Sequence, residues 1–306
     1  MLSLAFIQEP VISLKQKKII IGAAAVFAIT IPFLIFNLRA PVIVVSEESF
    51  TSMYGKKRMR KEMRNFSLDF FRPVKNAVIS NDAGDDIIPY TVSDISRRPY
   101  CVLFPFRFVR SARLYQEINP DIRVVVLEGK YTGRTMPDTN FFVYRTDIET
   151  DFLTAGKMAV ILGGQDGGQI AVFIDPQQNT HYGSVARESF VLGVNSQGIG
   201  FQPLFYTTVA AIQEDAVFAS VILAGTGWEY LEKKTTVPSI ALSWLDPALM
   251  PQDITVVFDD SPFGQLNQAV RLASLERRDG RIPSKITVLE RKIIPKGILR
   301  KLQKIR

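Results

Sequence analysis

One cysteine and one histidine in 306 residues remove most of the chemistry a chain of this size can carry. Cys101 has no second thiol to pair with, so an internal disulfide is excluded. Its place in the apolar run Tyr100–Phe104 marks it as a buried, inert thiol. His181 alone cannot build a multi-histidine metal centre, and it reads as a surface or pocket-edge residue. No GxSxG elbow surrounds any serine, and neither a P-loop nor a GxGxxG is present. Gly225-Thr226-Gly227 stops short of a dinucleotide fingerprint. No two carboxylates stand out as an acid and a base. The acidic loop Asn81–Asp86 lacks the spacing of a calcium loop. The residues therefore predict no catalytic group, no metal ligand, no cofactor and no enzyme.

Net charge is also scarce outside one place. Hydrophobic residues make up 47% of the chain and charged ones 22%, the balance of a folded rather than a disordered protein. From Arg281 to Arg306 nine basic residues face the one acid Glu290. That excess of eight exceeds the +7 of the whole chain, so the body before it is close to neutral. A neutral body with a basic tail does not predict nucleic-acid binding. In the tail, Ile294, Ile298, Leu302 and Ile305 recur at helical spacing. This predicts a basic amphipathic helix over 296–304 that either lies on an anionic lipid surface or ends as a solvated terminus.

Residues 19–38 carry no charge. At about 1.5 Å per residue such a helix spans a hydrocarbon core of roughly 30 Å. The run is longer than a signal-peptide core, and Leu38-Arg39-Ala40 followed by Pro41 is a poor cleavage site, so an uncleaved anchor is expected. Lys15, Lys17 and Lys18 precede it, against Arg39 directly after. The N-terminus is then cytoplasmic and the body periplasmic or extracellular.

Beyond the anchor, β-branched runs alternate with helical spacings. Strands are expected at Val42–Val45, Ala77–Ser80, Tyr100–Phe104, Arg123–Leu127, Phe141–Tyr144, Ile170–Ile174, Leu204–Thr207, Phe218–Leu223, Ser239–Leu242, Thr255–Phe258 and Ile286–Leu289. One helix follows the first strand as far as Phe71, with Lys56, Lys57, Arg58, Arg60, Lys61 and Arg64 on a face that is either solvated or turned toward lipid or a partner. Helices also fit Phe108–Ile118, Ile148–Leu162, Thr180–Gly193, Trp228–Lys234 and Phe263–Leu275. The stretch Phe141–Asp175 reads as a βαβ unit at the crossing between two similar halves. The fold class is α/β, two Rossmann-like lobes after a transmembrane helix. Residues 1–18 form the cytoplasmic N-terminus and 19–38 the anchor. Lobe 1 takes 41–145 plus a returning C-terminal segment, lobe 2 with crossovers takes 146–280, and 281–306 is the basic tail.

In parallel sheets ligands bind beyond the carboxyl ends of the strands. The residues found there are Glu48, Phe50, Phe106, Asp175, Trp228, Trp244 and Asp246. Aromatics beside carboxylates suit a small polar ligand, the ring giving area and the carboxylate accepting from hydroxyls or amines.

This order of elements resembles the type I periplasmic solute-binding proteins. SEESFTSMYG (Ser46–Gly55) resembles the DKSFN-plus-YEG start of the basic membrane protein group, which binds nucleosides. DFLTAGKMAVILGGQDGGQIAVF (Asp151–Phe173) is similar to that group's AG-x-LA segment and glycine-led strand, and SFVLGV (Ser189–Val194) to its GFxxGV helix. Phe50 matches directly. The group's ligand-contacting Asn falls on Thr51, its GVD aspartate near Ser243 or Asp246, and a later lysine near Asp259. The resemblance implies a membrane-anchored binder of a nucleoside- or sugar-like solute, with an ABC permease or a membrane sensor as partner. The alternative is a ligand-free module that keeps the lobes as a scaffold at the membrane surface.

Overall fold

The computed structural model describes residues 28, 30–128, 140–164, 167–197, 200–212, 218–225, 237–242, 253–277, 279–291 and 294–305, with backbone only at 128, 177–182 and 279. Two six-stranded sheets each form the centre of a lobe. Sheet A has the order β11-β5-β4-β3-β1-β2, from β1 (Val42–Glu47), β2 (Val74–Ile79), β3 (Cys101–Pro105), β4 (Arg123–Glu128), β5 (Phe141–Thr146) and β11 (Asp279–Ile282), all parallel. Sheet B has the order β12-β10-β9-β8-β6-β7. Its parallel strands are β6 (Gly168–Ile174), β7 (Phe201–Tyr206), β8 (Phe218–Ala224), β9 (Ser239–Leu242) and β10 (Ile254–Asp259); β12 (Lys285–Val288) runs antiparallel to β10.

Both faces of sheet A are covered, which is why β1 reads as an unbroken apolar run. Val42 and Val44 face one core with Tyr54, Phe66 and Leu103, while Ile43 and Val45 face another with Ile88, Phe104 and Tyr115. The helices of this lobe are α1 (Glu48–Tyr54), α2 (Lys56–Phe70), α3 (Ile88–Ile95) and α4 (Val109–Ile118). The single helix expected up to Phe71 is broken at Gly55, whose φ of 86° turns the chain between α1 and α2. Cys101 is fully buried, and burial pushes its thiol up to about 12.

The lobes are joined by three crossings. β5 leads into α5 (Ile148–Gly163), which packs in the second lobe beside α6 (Pro176–Asn195). The expected βαβ unit is therefore divided: β5 belongs to sheet A and β6 to sheet B. Helical periodicity fixes which face of α5 is apolar, not which sheet receives it. From β10 the chain returns through 260–265 to α7 (Leu266–Ser274), whose Leu266, Ala269, Val270 and Ala273 enter the core of sheet A. β11 then adds to sheet A before Pro283-Ser284 carries the chain back to β12.

The crossings are fastened to one another. The Gln265 amide donates to Thr146 Oγ1 at 3.2 Å and to the Ile282 carbonyl at 3.1 Å, touching all three. Asp151 accepts from the Ser284 backbone N–H at 2.9 Å and from the Ser284 hydroxyl.

The C-terminal segment is not a free tail. After β12, the predicted helix forms as α8 (Lys296–Ile305), and Leu302 is fully buried in the core of the second lobe with Ile294, while Ile298 and Ile305 pack against it. The apolar stripe expected to meet lipid is already used by α5. Lys296, Arg300, Lys301 and Lys304 keep only solvent-facing charge.

Of the apolar segment 19–38, residues 28 and 30–38 are described, and all of these are helical. Among the described residues no helix is long and apolar enough to cross a membrane.

Candidate functional site

β1 ends on Ser46 and Glu47, beyond the position expected from its apolar run. α1 then starts at once and carries Phe50 and Met53 over the carboxyl ends of sheet A. Together with Ser49, Pro105, Leu127 and Thr146 these residues line a half-open cavity of about 360 Å³. Its remaining wall is the second crossing, Asp260, Ser261, Pro262 and Gln265. The cavity thus lies on the first lobe's side of the cleft and against the hinge. Its volume falls in the range of small-molecule sites.

One wall is aromatic. The Phe50 ring stacks on Tyr54 (centroids 5.2 Å apart) and on Phe263 (6.1 Å), and Tyr54 stacks on Phe263 (5.6 Å). The polar lining is two acids, hydroxyls and one amide, with no lysine or arginine among the lining residues. The Glu47 carboxylate is held by Arg107 and by the Ser49 hydroxyl at 3.2 Å. Asp260 has a buried Oδ1 with no hydrogen-bond partner among the described residues. Burial and the nearby Asp259 and Asp151 push the Asp260 carboxyl up to about 7. Such a lining offers carboxyl and hydroxyl oxygens to hydroxyls and amines, and no lysine or arginine to an anion.

Behind the aromatic wall the lobes are tied together. Arg58, at the start of α2, lies 2.8 Å from Asp259 Oδ2 at the end of β10, and their side chains are 11% and 1% exposed. The Tyr54 hydroxyl donates to the same oxygen at 2.8 Å, and the Ser261 N–H donates to Asp259 Oδ1 at 3.0 Å. The Arg58 guanidinium also rests 4.5 Å above the Tyr54 ring. Burial raises the Asp259 carboxyl, and Arg58 opposes that rise. One turn along α2, Glu62 pairs with Lys285 of β12.

The expected ligand residues divide. Phe50 lines the cavity. Glu48 is exposed at the start of α1, because the strand end falls on Glu47. Thr51 is buried behind the wall, its hydroxyl donating to the Glu47 carbonyl at 2.9 Å and sharing a hydrogen bond with Ser46. Phe106 is turned outward by the short helical turn after β3. Asp175 sits at the end of β6, half-buried and outside the cavity lining. Trp228, Trp244 and Asp246 lie outside the described residues, as does the His181 side chain. Sequence reasoning missed Glu47, Asp260 and Gln265. Asp260 follows the apolar run Thr255–Phe258 by two residues, the same strand-end signal that selected Phe50.

Burial of Asp151 pushes its carboxyl up to about 7 as well, against the two bonds from Ser284. Both Asp151 and Asp260 therefore bind protons more tightly folded than unfolded, where an aspartate titrates near 3.9. Their stabilising effect is full below that value and is lost as pH rises through about 7. Between about pH 8 and pH 5 the folded chain is expected to gain about 2–5 kcal/mol. Urea unfolding at the two pH values measures it, and an Asp151→Asn/Asp260→Asn variant showing an undiminished gain would refute the assignment.

No protein-family model matches the chain, and no curated protein does. Solved structures do. A solute-binding protein of an ABC transporter system from Conexibacter woesei superposes with a TM-score of 0.59 at 11% identity, covering 87% of this chain and 95% of that one. A periplasmic solute-binding protein of an ABC transporter from Actinobacillus succinogenes, with bound D-allose, gives 0.54 at 10%, covering 86% and 100%. A LacI transcriptional regulator from a Rhodococcus species gives 0.51 at 12%, covering 82% and 97%. The fold is that of the type I periplasmic binding proteins, and these neighbours are binding proteins and regulators rather than enzymes.

Proposed function

We propose that the chain is a membrane-anchored, extracytoplasmic solute-binding protein, similar to the basic membrane protein group, that captures a neutral nucleoside- or sugar-like ligand. The observation that carries this reading is the cavity under Phe50, with Glu47 and Asp260 as acceptors and no cation in its lining. The stacked face of Phe50 suits a base or the apolar face of a sugar, and the acids and hydroxyls suit ribose-like hydroxyls. Closure of the second lobe buries the ligand, and the closed form is what an ABC permease or a membrane sensor reads. The charge-free segment 19–38 and the lysines before it supply the anchor and the orientation.

The tie of Tyr54 and Arg58 to Asp259 favours a second reading, a ligand-free scaffold whose lobes are already joined.

A thermal-shift panel separates the two. Adenosine, uridine, D-ribose, D-allose and amino acids are compared with adenosine monophosphate. A ligand at a hundred times its Kd adds about 2.7 kcal/mol, a shift of several degrees for a chain of this size. The expected result is a shift with a neutral nucleoside or sugar and none with the monophosphate. A flat panel supports the scaffold.

A further inference from the structure

The amino-terminal edge of sheet A, opposite the cleft, gathers charge and apolar surface that the solute site does not use. Arg39 precedes β1, Arg72 precedes β2, and Arg123 opens β4. The Arg72 guanidinium lies 3.8 Å above the Tyr100 ring and that of Arg123 5.3 Å from it. Arg72 Nη1 also donates to the Ala40 carbonyl at 3.3 Å. Arg39 sits over Phe71 at 5.2 Å and donates to its carbonyl at 3.4 Å. None of the three has an acidic partner among the described residues, and Arg123 Nε is buried with no hydrogen bond there. Burial lowers the Arg72 pKa, Tyr100 opposes that, and the charges of Arg39 and Arg123 add to it. Arg97 and Arg98 precede β3 on the same edge, where Asp121 precedes β4.

Around these arginines the helices of the lobe end with exposed apolar side chains. Leu68 in the last turn of α2 is 74% exposed, Ile118 at the end of α4 is 56%, and Leu275 just after α7 is 61%. Leucine and isoleucine thus stand exposed at three helix ends on one side of the lobe. The helical residues that lead into the lobe are exposed and apolar on most of their circumference: Ile31, Phe33, Leu34, Ile35 and Leu38. Only three residues, 39–41, separate this helix from β1, and Phe36 packs its ring on Phe71 at 5.6 Å. With so short a connection the base of the lobe cannot move far from whatever surrounds that helix.

We propose that this base is a membrane-apposed face: Arg39, Arg72 and Arg123 hold anionic lipid headgroups while Leu68, Ile118 and Leu275 enter the interface. The first lobe is then proximal to the bilayer, and the second lobe with α8 is distal. The occupant is the bilayer surface itself, by charge complementarity and continuity with the exposed apolar helix. The proposal rests on the anchor reading, and its test separates the two.

The full chain is placed in nanodiscs of phosphatidylcholine alone or mixed with phosphatidylglycerol, with a nitroxide at Leu68→Cys or Leu275→Cys. Leu192→Cys on α6 is the distal control. Cys101 is buried and stays unlabelled. In the anionic discs the ratio of oxygen to nickel-chelate accessibility should be several-fold higher at 68 and 275 than at 192. Arg39→Gln/Arg72→Gln/Arg123→Gln should return both labels toward the aqueous value with thermal unfolding still cooperative. Aqueous labels at 68 and 275 in discs that retain the chain against alkaline wash overturn the proposal and leave the anchor standing. Labels buried only in anionic discs, on a chain that high salt strips off, overturn the anchor and keep the base. A chain that joins neither kind of disc overturns both.

Discussion

Arg58→Ala is expected to destabilise the chain by about 3–5 kcal/mol, because it leaves Asp259 buried without its partner charge. Asp259 is 1% exposed and keeps the Tyr54 hydroxyl and Ser261 as its hydrogen-bond donors among the described residues. Unfolding in urea at neutral pH measures the loss. The loss should shrink as pH falls, since a protonated Asp259 no longer needs a cation; the raised folded pKa of this group gives the direction. The charge-free pair Arg58→Met/Asp259→Leu should recover most of the stability, because the two desolvation costs vanish together. An Arg58→Ala variant as stable as the parent would show that the tie between the lobes carries no energy. It would also remove the ground for the scaffold reading.

Gly193→Ala is the second large effect. α5 and α6 meet backbone to backbone: a Cβ at Gly193 would lie 2.1 Å from the Leu153 carbonyl oxygen and 3.2 Å from Gly156 Cα. A Cβ at Gly156 would lie 2.4 Å from the Phe190 carbonyl oxygen. No side chain can rotate out of the way, so the helices must separate and open the core around Phe152 and Phe190. Overpacking of this kind costs about 1–3 kcal/mol and at times more, and backbone clashes put it at or above the top of that range. Gly297→Ala is the control. Gly297 has open space around it near the start of α8, and alanine there should be neutral or stabilising by up to about 1 kcal/mol. Equal melting temperatures for the Gly193 and Gly297 variants would contradict the packing described.

The alternation of strands and helices was legible because the central strands β1, β3 and β4 of sheet A are buried on both faces and read as nearly unbroken apolar runs, whereas the edge strands β2 and β11 carry polar residues. Which lobe an element joins was not. α5 shows an apolar face, but the partner of that face, α6 and the core of sheet B, is a matter of tertiary packing. The same limit applies to α8. Its stripe was visible, and a stripe looks the same whether it meets lipid or, as here, the core of the second lobe through Leu302. In the site, Phe50 was legible from its place after a strand. Glu47 was displaced by one position because β1 continues past its last valine, and that single residue turned Glu48 outward instead. The tie of Tyr54 and Arg58 to Asp259 joins residues some two hundred positions apart, with a separation of 205 for the tyrosine. No local pattern announces such a pair, although the lysine-to-aspartate departure at Asp259 marked the position as altered.

Titration calorimetry of the full chain with adenosine, uridine, D-ribose and D-allose tests solute capture most directly. The account predicts one-site binding of at least one of these, about tenfold weaker or worse in Phe50→Ala, which costs the stacking face about 1.4 kcal/mol or more. Absence of heat from all four at millimolar concentration, with the protein folded, would contradict it.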